Sequence, residues 1–456
     1  MQSVSDTVMR KNARRLIPFL AVLYVVAFLD RVNVSFAALT MNDELGISAA
    51  AYGLGASIFF VGYLLFEVPS NLALNRFGAR LWIARIMVTW GLVSMATGFI
   101  HNATQLYVVR FFLGVAEAGF FPAVIIYLSF WFTKAYRARV TGLFLLGIPT
   151  ASIVGAPLST WLMSAADGWF GHSGWRWMFV LEGAPAVLLG IACLWVLVDR
   201  PKSASWLTTE EQKWLEDELQ KEREEAETVR TFSLRDAFTN SRVLLLASVL
   251  FMWNATNYGI TLWLPQIVKT FTTSTVTIGW IVAAVWIAAA ATMLYWAFRA
   301  DRFKAPTIPL ILALILGSIG MACAAMLLSY PIISMIALAI SLMGVFAAIP
   351  IFWTLPSAML TGTAAAAGIA MINSVSQLAG VASPWMIGRL HESTGGFAAP
   401  MLVLAGLLLV AVALVVVFQK IIRGDHNRAR EHNSPDHVCQ DRDVAQSQPH
   451  GVKGSD

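Results

Sequence analysis

The sequence predicts an all-α integral membrane protein with twelve transmembrane helices in two six-helix bundles. Three observations predict this fold class: an apolar composition, twelve apolar segments of spanning length, and the placement of Lys and Arg. Of the 456 residues, 57% are hydrophobic and 13% are charged, and the mean hydropathy is +0.66. Because a soluble domain carries about 25% charged residues, this composition indicates an integral membrane protein.

The apolar segments determine the number of spans. A transmembrane helix needs about 20 mainly apolar residues, and twelve segments meet that length. The first half contains residues 16–39, 52–74, 81–100, 104–131, 138–163 and 176–198. The second half contains residues 243–268, 277–298, 306–328, 332–355, 364–388 and 399–420.

The positive charges predict the orientation, since short cytoplasmic loops are enriched in Lys and Arg. They precede the first segment and follow segments 2, 4, 8 and 12, whereas the alternate loops hold few of them. The charges concerned are Arg10, Lys11, Arg14, Arg15, Arg76, Arg80, Lys134, Arg137, Arg139, Arg299, Arg302, Lys304, Lys420 and Arg423. Both termini are therefore expected in the cytoplasm, as an even number of spans requires.

A polar connector divides the chain into two halves. In it, Thr208 and Glu211 form a capping-box pattern that opens an acidic helix from Thr209 to about Glu227. The predicted organisation is a cytoplasmic N-terminus at 1–15, a first six-helix bundle at 16–198, a cytoplasmic connector at 199–242, a second bundle at 243–420 and a disordered cytoplasmic tail at 421–456.

Charge, cysteine and motif content exclude several function classes. The net charge of +5 lies in loops between apolar runs, which argues against a nucleic-acid partner. Cys193, Cys323 and Cys439 are scattered and predict neither a disulfide framework nor a metal site. The sequence shows neither a nucleophile–base set nor a phosphate-binding loop, and this argues against an enzyme. The first apolar segment is too long for a cleavable signal peptide.

Two ionisable residues lie deep in the first segment, where Asp30 and Arg31 are adjacent. A charge near mid-bilayer costs about 2.5–3.5 kcal/mol on insertion scales, and neighbouring helical side chains point about 100° apart. In the fourth segment, Arg110 and Glu117 are seven residues apart and share one face. The four together predict a net-neutral cluster in the wall of a translocation pathway. Ion pairs that only hold helices together are the alternative.

This cluster suggests a coupling cycle, in which Asp30 and Glu117 couple protons while Arg31 and Arg110 bind substrate. The ionised carboxylates compete for the arginines, and protonation of one carboxylate frees a guanidinium for the carboxylate of a substrate. Apolar surroundings favour the neutral carboxyl form. The proton is then the coupling ion, and the scheme needs neither a cofactor nor a metal.

Uncharged polar residues give weaker candidates for substrate binding. Tyr63 offers a hydroxyl to a substrate oxygen, and a core tyrosine is the alternative. The second half offers hydrogen bonds without charge, and each of these residues is as typical of interhelical contacts. The candidates of that half are Asn254, Asn257, Tyr258, Asn373 and Gln377, and Trp353 is a candidate for the lining of the cavity. Glu182 and Arg176, near the outer end of the sixth segment, are interpreted as structural.

Five stretches resemble the anion:cation symporter branch of the major facilitator superfamily. They are FLDRVNVSFAAL, GYLLFEVPSNLALNRFGARLWIARIMVTWG, RFFLGVAEAGFFPAVIIYLSFWF, YGITLWLPQIV and IFWTLPSAMLTGTAAAAGIAMINS. The last two look like stretches of the branch's bacterial tartrate, rhamnonate, phthalate and 4-hydroxyphenylacetate permeases. The resemblance covers about residues 12–420.

This resemblance implies proton-coupled uptake of an organic carboxylate, with Arg31 on the carboxylate and Asp30 and Glu117 on the proton. It implies that Arg110 pairs with the acids and that Tyr63 and Asn373 line the site. The superfamily loop signature G-x-L-x-D-R-x-G-R-[KR] falls on Asn71 to Arg80 here, with Asn in place of its Gly and its Asp. The gating residues it implies are Arg76, Arg80, Asp301 and Arg302.

The remaining expectations concern substrate, partners and location. A small hydroxylated acid such as tartrate or a sugar acid is favoured, and an aromatic acid, an anion exchanger or a membrane anion sensor are the alternatives. The expected partners are the organic anion and the lipid bilayer, with a monomer as the default. The expected location is the cell inner membrane.

Overall fold

The structure is a computed structural model, and it describes residues 4–145, 147–227, 240–299, 305–359 and 362–432. The described part of the chain is nearly all helical. Its first half contains α1 (Val4–Leu45), α2 (Ala49–Phe77), α3 (Ala79–Thr97), α4 (Ala103–Glu117), α5 (Phe120–Ser129), α6 (Lys134–Leu145), α7 (Gly147–Ala165) and α8 (Gly174–Val196). A connecting helix, α9 (Thr209–Glu227), follows them.

The second half repeats this arrangement of long helices. It contains α10 (Ser241–Lys269), α11 (Thr275–Ala297), α12 (Thr307–Met326), α13 (Pro331–Phe352), α14 (Thr354–Met359), α15 (Gly362–Thr394) and α16 (Ala398–His432). Two short 3₁₀ turns, Trp169–Gly171 and Pro201–Ser203, lie in the connections before and after α8.

Ten helical stretches in the described residues are long and apolar enough to cross a membrane. They coincide with ten of the twelve predicted spans. The other two predicted spans correspond to α3 and α15, which are also long helices packed within the bundle. Arg80 and Arg85 in α3, and the many Gly, Ala and Ser residues of α15, make these two helices less apolar than the others.

The fourth predicted span is not one continuous helix. It breaks between α4 and α5, where Gly119 has φ +85°. A Cβ atom on Gly119 would lie 2.4 Å from the Ser70 hydroxyl oxygen, so both the backbone angle and the close approach of α2 favour glycine here. The sequence prediction of a single helix over 104–131 is therefore wrong at this point.

Helix pairs define two halves and the contact between them. In the first half α3 packs on α8, α2 on α4, and α1 on α7 and α8. In the second half α12 packs on α13 and α16, α11 on α13, and α10 on α15 and α16. In the described residues, the main contacts between the halves are those of α2 with α15, α1 with α10, and α7 with α11.

Polar contacts join the halves at the end of the bundle where α1 finishes and α2 begins. The Lys269 ammonium donates to the Asp43 carboxylate at 2.8 Å, between α10 and α1. The Glu392 carboxylate of α15 accepts from the Ser48 hydroxyl at 3.1 Å and from the Ala50 amide at 2.9 Å, at the start of α2. We call these contacts the end seal.

The connector helix α9 docks on the first half. The predicted capping box is confirmed: the Glu211 amide donates to the Thr208 hydroxyl at 3.3 Å, and the Thr208 amide donates to the Glu211 carboxylate at 2.9 Å. Glu211 also accepts from the Lys11 ammonium at 2.7 Å. Just before α9, the Trp206 indole donates to Asn12 of α1 at 2.9 Å.

The last helix is longer than its apolar part. The sequence predicts a disordered tail from residue 421, whereas α16 continues to His432. The structure therefore differs from that prediction over 421–432, and residues 433–456 lie outside the described residues.

Candidate functional site

An ion pair between two helices of the first half lies at the centre of the predicted cluster. The Arg31 guanidinium of α1 donates to the Glu117 carboxylate of α4. The Glu117 side chain is only 3% exposed, whereas 19% of the Arg31 side chain is exposed. The arginine end of the pair is therefore the end that a solute can reach.

Backbone features place Glu117 in this pair. Glu117 is the last residue of α4, immediately before the break at Gly119, and the Ala118 amide still donates to the Gly114 carbonyl at 3.0 Å. A Cβ atom on Gly114 would lie 2.0 Å from the Phe59 carbonyl oxygen, so α4 approaches α2 more closely than any larger residue would permit. This approach brings α2 side chains against the ion pair.

Arg110 is a second arginine beside the first, and it lacks a hydrogen-bonded partner at two nitrogens. It is 1% exposed, and its Nε and Nη1 atoms make no hydrogen bond. Its guanidinium carbon lies 4.7 Å from the centre of the Phe59 ring, and that of Arg31 lies 5.6 Å from the same ring. A cation over an aromatic face is favourable but does not satisfy N–H donors. Arg110 therefore retains hydrogen-bonding capacity for an anion.

Aromatic rings form the walls around Arg31. The centres of the Phe28 and Tyr63 rings lie 5.3 Å and 5.5 Å from its guanidinium carbon. Tyr63 was predicted as a substrate contact, and the structure brings it to the ion pair. Glu67, one helical turn further along α2, interacts electrostatically with Arg31 and is partly exposed.

Asp30 lies apart from the arginines, contrary to the predicted competition with Glu117 for them. In the described part of the chain it forms no ion pair; its carboxylate accepts from the side chains of Asn33 at 2.7 Å, Trp90 and Ser94. Because adjacent helical residues point about 100° apart, Asp30 faces α3 while Arg31 faces α4. Trp90 and Ser94 were missed, since uncharged residues on another helix carry no visible signal for this contact.

The second half contributes neutral groups opposite the ion pair. The Tyr258 hydroxyl donates to the Gln377 amide oxygen at 2.5 Å, and the Tyr258 ring centre lies 4.6 Å from that of Phe60 on α2. The Asn257 Oδ1 atom is buried without a hydrogen-bond partner. Asn373 is exposed one turn before Gln377 on α15.

The other predicted site residues lie elsewhere. Trp353 packs edge-to-face on Phe352, with ring centres 5.4 Å apart, at the end of α13. Arg76 lies over the Phe77 ring at 5.6 Å. The Arg80 amide donates to Asp199 at 2.9 Å, and its guanidinium donates to the Leu194 carbonyl. The contacts of Arg76 and Arg80 are therefore with neighbouring residues of the first half or the start of the connector. Asp301 and Arg302 lie outside the described residues.

Comparisons with known proteins identify the family. The sequence model of the Major Facilitator Superfamily matches residues 20–384 and 264–447. The chain belongs to the Major Facilitator Superfamily. A putative tartrate transporter of Agrobacterium vitis is 46% identical over 413 residues, covering 91% of each chain. A quinolone resistance transporter of Acinetobacter baumannii is 41% identical, covering 91% of this chain and 96% of its own.

A solved structure supports the fold independently. A bacterial homologue of the human lysosomal transporter Spinster, in an inward-facing and occupied conformation, superposes with a TM-score of 0.73. Its sequence identity is 15%, and the match covers 89% of this chain and 96% of that chain. The predicted fold class and the resemblance to this superfamily are thus confirmed. The chain is a multi-pass membrane transporter, of a family whose members are not enzymes.

Proposed function

We propose that this superfamily member takes up a small organic carboxylate, such as tartrate or a sugar acid, together with protons across the inner membrane. The observation that carries the proposal is the partly exposed Arg31–Glu117 pair beside Arg110, whose Nε and Nη1 atoms make no hydrogen bond. Two adjacent arginines and one displaceable carboxylate suit an anion that arrives with a proton.

Substrate binding begins at Arg31. A substrate carboxylate takes the place of the Glu117 carboxylate on the guanidinium, where two parallel N–H···O bonds are available. Arg110 then supplies its unpartnered Nε and Nη1 donors to a second oxygen of the same anion. Because buried unpaired donors cost about 1–3 kcal/mol each, filling them with substrate oxygens favours the bound state.

Proton coupling follows from the buried position of Glu117. Once the substrate holds Arg31, an ionised Glu117 at 3% exposure would lack its counter-ion. A buried carboxylate without a partner is strongly disfavoured, so a proton binds to Glu117 and restores neutrality. Proton and carboxylate then bind cooperatively, and for a substrate with a single negative charge the loaded site carries no excess charge across the membrane.

Alternating access requires that the end seal open and close. With the topology predicted from Lys and Arg, the end seal lies on the outer side of the membrane, so this conformation is closed to the outside. Release of the Lys269–Asp43 contact and of the Glu392 cap on α2 then gives the outward-facing state. Rigid-body rocking of two bundles about a central site is how such repeats give alternating access.

The neutral groups of the second half suit a hydroxylated acid. Tyr258, Gln377, Asn257 and Asn373 offer donors and acceptors for substrate hydroxyl groups. The Agrobacterium relative is named a putative tartrate transporter, which supports this substrate class for the present chain. A site that hydrogen-bonds hydroxyl groups rejects analogues that lack them.

An aromatic carboxylate is the second candidate, and the rings around Arg31 favour it. Phe28, Phe59 and Tyr63 each lie within 5.6 Å of the guanidinium carbon. These rings already contact one another or the arginine, as the 6.2 Å separation of the Phe59 and Tyr63 ring centres illustrates. A flat acid therefore has to displace one of these contacts, whereas a small hydroxy acid does not.

Uptake into proteoliposomes tests the proposal. The purified protein is reconstituted, an inward proton gradient is imposed, and uptake of labelled tartrate is measured against a panel of unlabelled hydroxy acids and aromatic acids as competitors. We expect accumulation that collapses with a protonophore, and acidification of the vesicle lumen when tartrate is added outside. Hydroxy acids should compete and aromatic acids should not.

The outcomes separate the alternatives. Uptake that ignores the proton gradient and requires an anion inside the vesicle indicates an exchanger and contradicts coupling. Competition by phthalate or hydroxyphenylacetate alone indicates the aromatic class. Binding of an anion without any uptake contradicts the transport proposal itself.

A further inference from the structure

A second pair of buried carboxyl groups lies next to the substrate site, in the contact between α1, α3, α7 and α8. Asp30 is 1% exposed and Glu182 is 4% exposed. Asn33, which is fully buried, lies between them: its Nδ2 atom donates to Asp30 at 2.7 Å, and its side chain also contacts Glu182. The sequence interpretation treats Glu182 as structural, and the proposed cycle does not use it.

The hydrogen bonds of the two carboxyl groups are unequal. Asp30 accepts from three donors, on Asn33, Trp90 and Ser94. Among the described residues, Glu182 accepts one hydrogen bond, which the Ser159 hydroxyl donates to its Oε1 atom at 2.6 Å. Three donors stabilise an ionised carboxylate, whereas a buried carboxyl group with a single donor favours the neutral acid.

Two unpartnered atoms complete this pattern. The Glu182 Oε2 atom and the Asn33 Oδ1 atom are both buried without a hydrogen-bond partner. Both are acceptors while Glu182 is ionised, so they cannot bond to each other. A proton on the Glu182 Oε2 atom turns that atom into a donor. The Asn33 Oδ1 atom can accept from it, because the Asn33 side chain already contacts Glu182.

The charge balance points the same way. Arg31 and Arg110 are offset by Glu117 and Asp30 within the first half. An ionised Glu182 would add a fifth buried charge with no counter-ion. Of the groups that contact Glu182, α1 supplies Asp30, whose ionised form repels a second negative charge, and the neutral Asn33, while α7 supplies the neutral Ser159.

We propose that Glu182 holds a proton in this conformation and positions Asn33, so that the Asn33 amide stays turned toward an ionised Asp30. Glu182 donates from Oε2 to the Asn33 Oδ1 atom, and this bond fixes Asn33 Nδ2 on Asp30. Glu182 is thus a positioning residue of the proton-coupled site. The effect of Glu182 on transport rests on the proposed function, whereas the protonation of Glu182 does not depend on it.

Infrared spectroscopy tests the protonation directly on the purified, reconstituted protein at neutral pH. The difference spectrum of wild type minus Glu182→Gln is expected to show the carbonyl stretch of a protonated carboxyl group and no carboxylate bands. The control difference, wild type minus Glu117→Gln, is expected to show carboxylate bands. Carboxylate bands in the Glu182 spectrum overturn the proposal, whether or not the protein transports tartrate.

Transport tests the positioning role. Gln at 182 keeps a donor for Asn33 Oδ1 and an acceptor for Ser159, so Glu182→Gln should keep the wild-type pH profile of uptake. Glu182→Met removes the donor and frees Asn33, which weakens the hold on the ionised Asp30. Because a neutral Asp30 no longer repels the charge of Glu117, the midpoint of the profile should move to lower pH by about one unit, a tenfold change in proton affinity. Identical profiles for both variants, or a moved profile for Glu182→Gln, overturn the role. Should either variant fail to fold, Asn33→Leu gives the same displacement if the role is correct.

Discussion

The two halves of this transporter meet at the site with different chemistry. The first half supplies charges, in Arg31, Arg110 and Glu117, whereas the described residues of the second half that face them, such as Tyr258 and Gln377, are neutral. A charge change is felt over a long range in a low-dielectric interior, and a neutral hydrogen bond acts only on contact. The comparison suggests that the first half couples the proton and the second half selects the substrate.

The largest expected effect is the loss of the substrate anchor in the first half. Arg31→Gln removes the charge that a substrate carboxylate and Glu117 share. A charged hydrogen bond contributes about 1.5–3 kcal/mol, so tartrate uptake should fall by about 100-fold. Arg200→Gln is the matched control, because Arg200 also lies over an aromatic ring, 4.8 Å from the centre of Phe130, but outside the site. Normal uptake by Arg31→Gln would contradict the division between the halves.

A smaller effect is expected from the second half. Tyr258→Phe removes the hydroxyl that donates to Gln377 at 2.5 Å but keeps the ring on Phe60. A neutral hydrogen bond contributes about 1 kcal/mol, so the KM for tartrate should rise about fivefold while the dependence on the proton gradient stays unchanged. Tyr295→Phe is the control, because it removes a tyrosine hydroxyl at an exposed position. If Tyr258→Phe uncouples uptake from the proton gradient, the second half also takes part in coupling.

Not every polar residue of the second half should matter for substrate. Asn254 donates to the Ser376 hydroxyl at 2.9 Å, between α10 and α15, and is 8% exposed. Such interhelical bonds average about 0.6 kcal/mol in membrane proteins. Asn254→Ala should therefore lower the melting temperature slightly and leave the KM for tartrate unchanged, as measured by thermal shift and uptake. A raised KM without a loss of stability would add Asn254 to the substrate contacts.

The smallest effect concerns the connector, which is bound to the first half. Although partial burial opposes it, the hydrogen bonds from Lys11 and Thr208 hold the pKa of Glu211 below its ordinary value. A lowered pKa contributes stability above the ordinary carboxyl range, and this contribution is lost as the pH falls through it. Since the Lys11 side chain is 40% exposed, Glu211→Gln should cost less than about 1 kcal/mol at pH ~7 and nothing at pH ~3. Thermal melts at both values, with Glu218→Gln as control, measure the difference.

The sequence predicted the charged residues but not all of their partners. Arg31, Arg110 and Glu117 were recognisable because charges within apolar segments are conspicuous, and the spacing of Arg110 and Glu117 requires partners on another helix. The contact of Asp30 with Trp90 and Ser94 depends on which helix faces it. That choice is set by tertiary packing, and the uncharged residues of α3 carry no periodic signal for it.

Local backbone features were predictable only where a side-chain motif with a fixed spacing marks them. The capping box at Thr208 and Glu211 has a fixed spacing and was predicted correctly. The break at Gly119 was not, because glycine is common inside transmembrane helices and its positive φ depends on the approach of Ser70. Glu182 was placed near the outer end of its helix, and its link through Asn33 to Asp30 became visible only in three dimensions.

The most direct test of the central claim is to measure exchange and accumulation on the same Glu117→Gln vesicles. Without its titratable group, the carrier should still exchange internal for external labelled tartrate, since Arg31 and Arg110 remain. It should no longer accumulate tartrate under an inward proton gradient, and tartrate should no longer acidify the lumen. If Glu117→Gln accumulates tartrate and acidifies the lumen as wild type does, Glu117 does not couple the proton and the account is wrong.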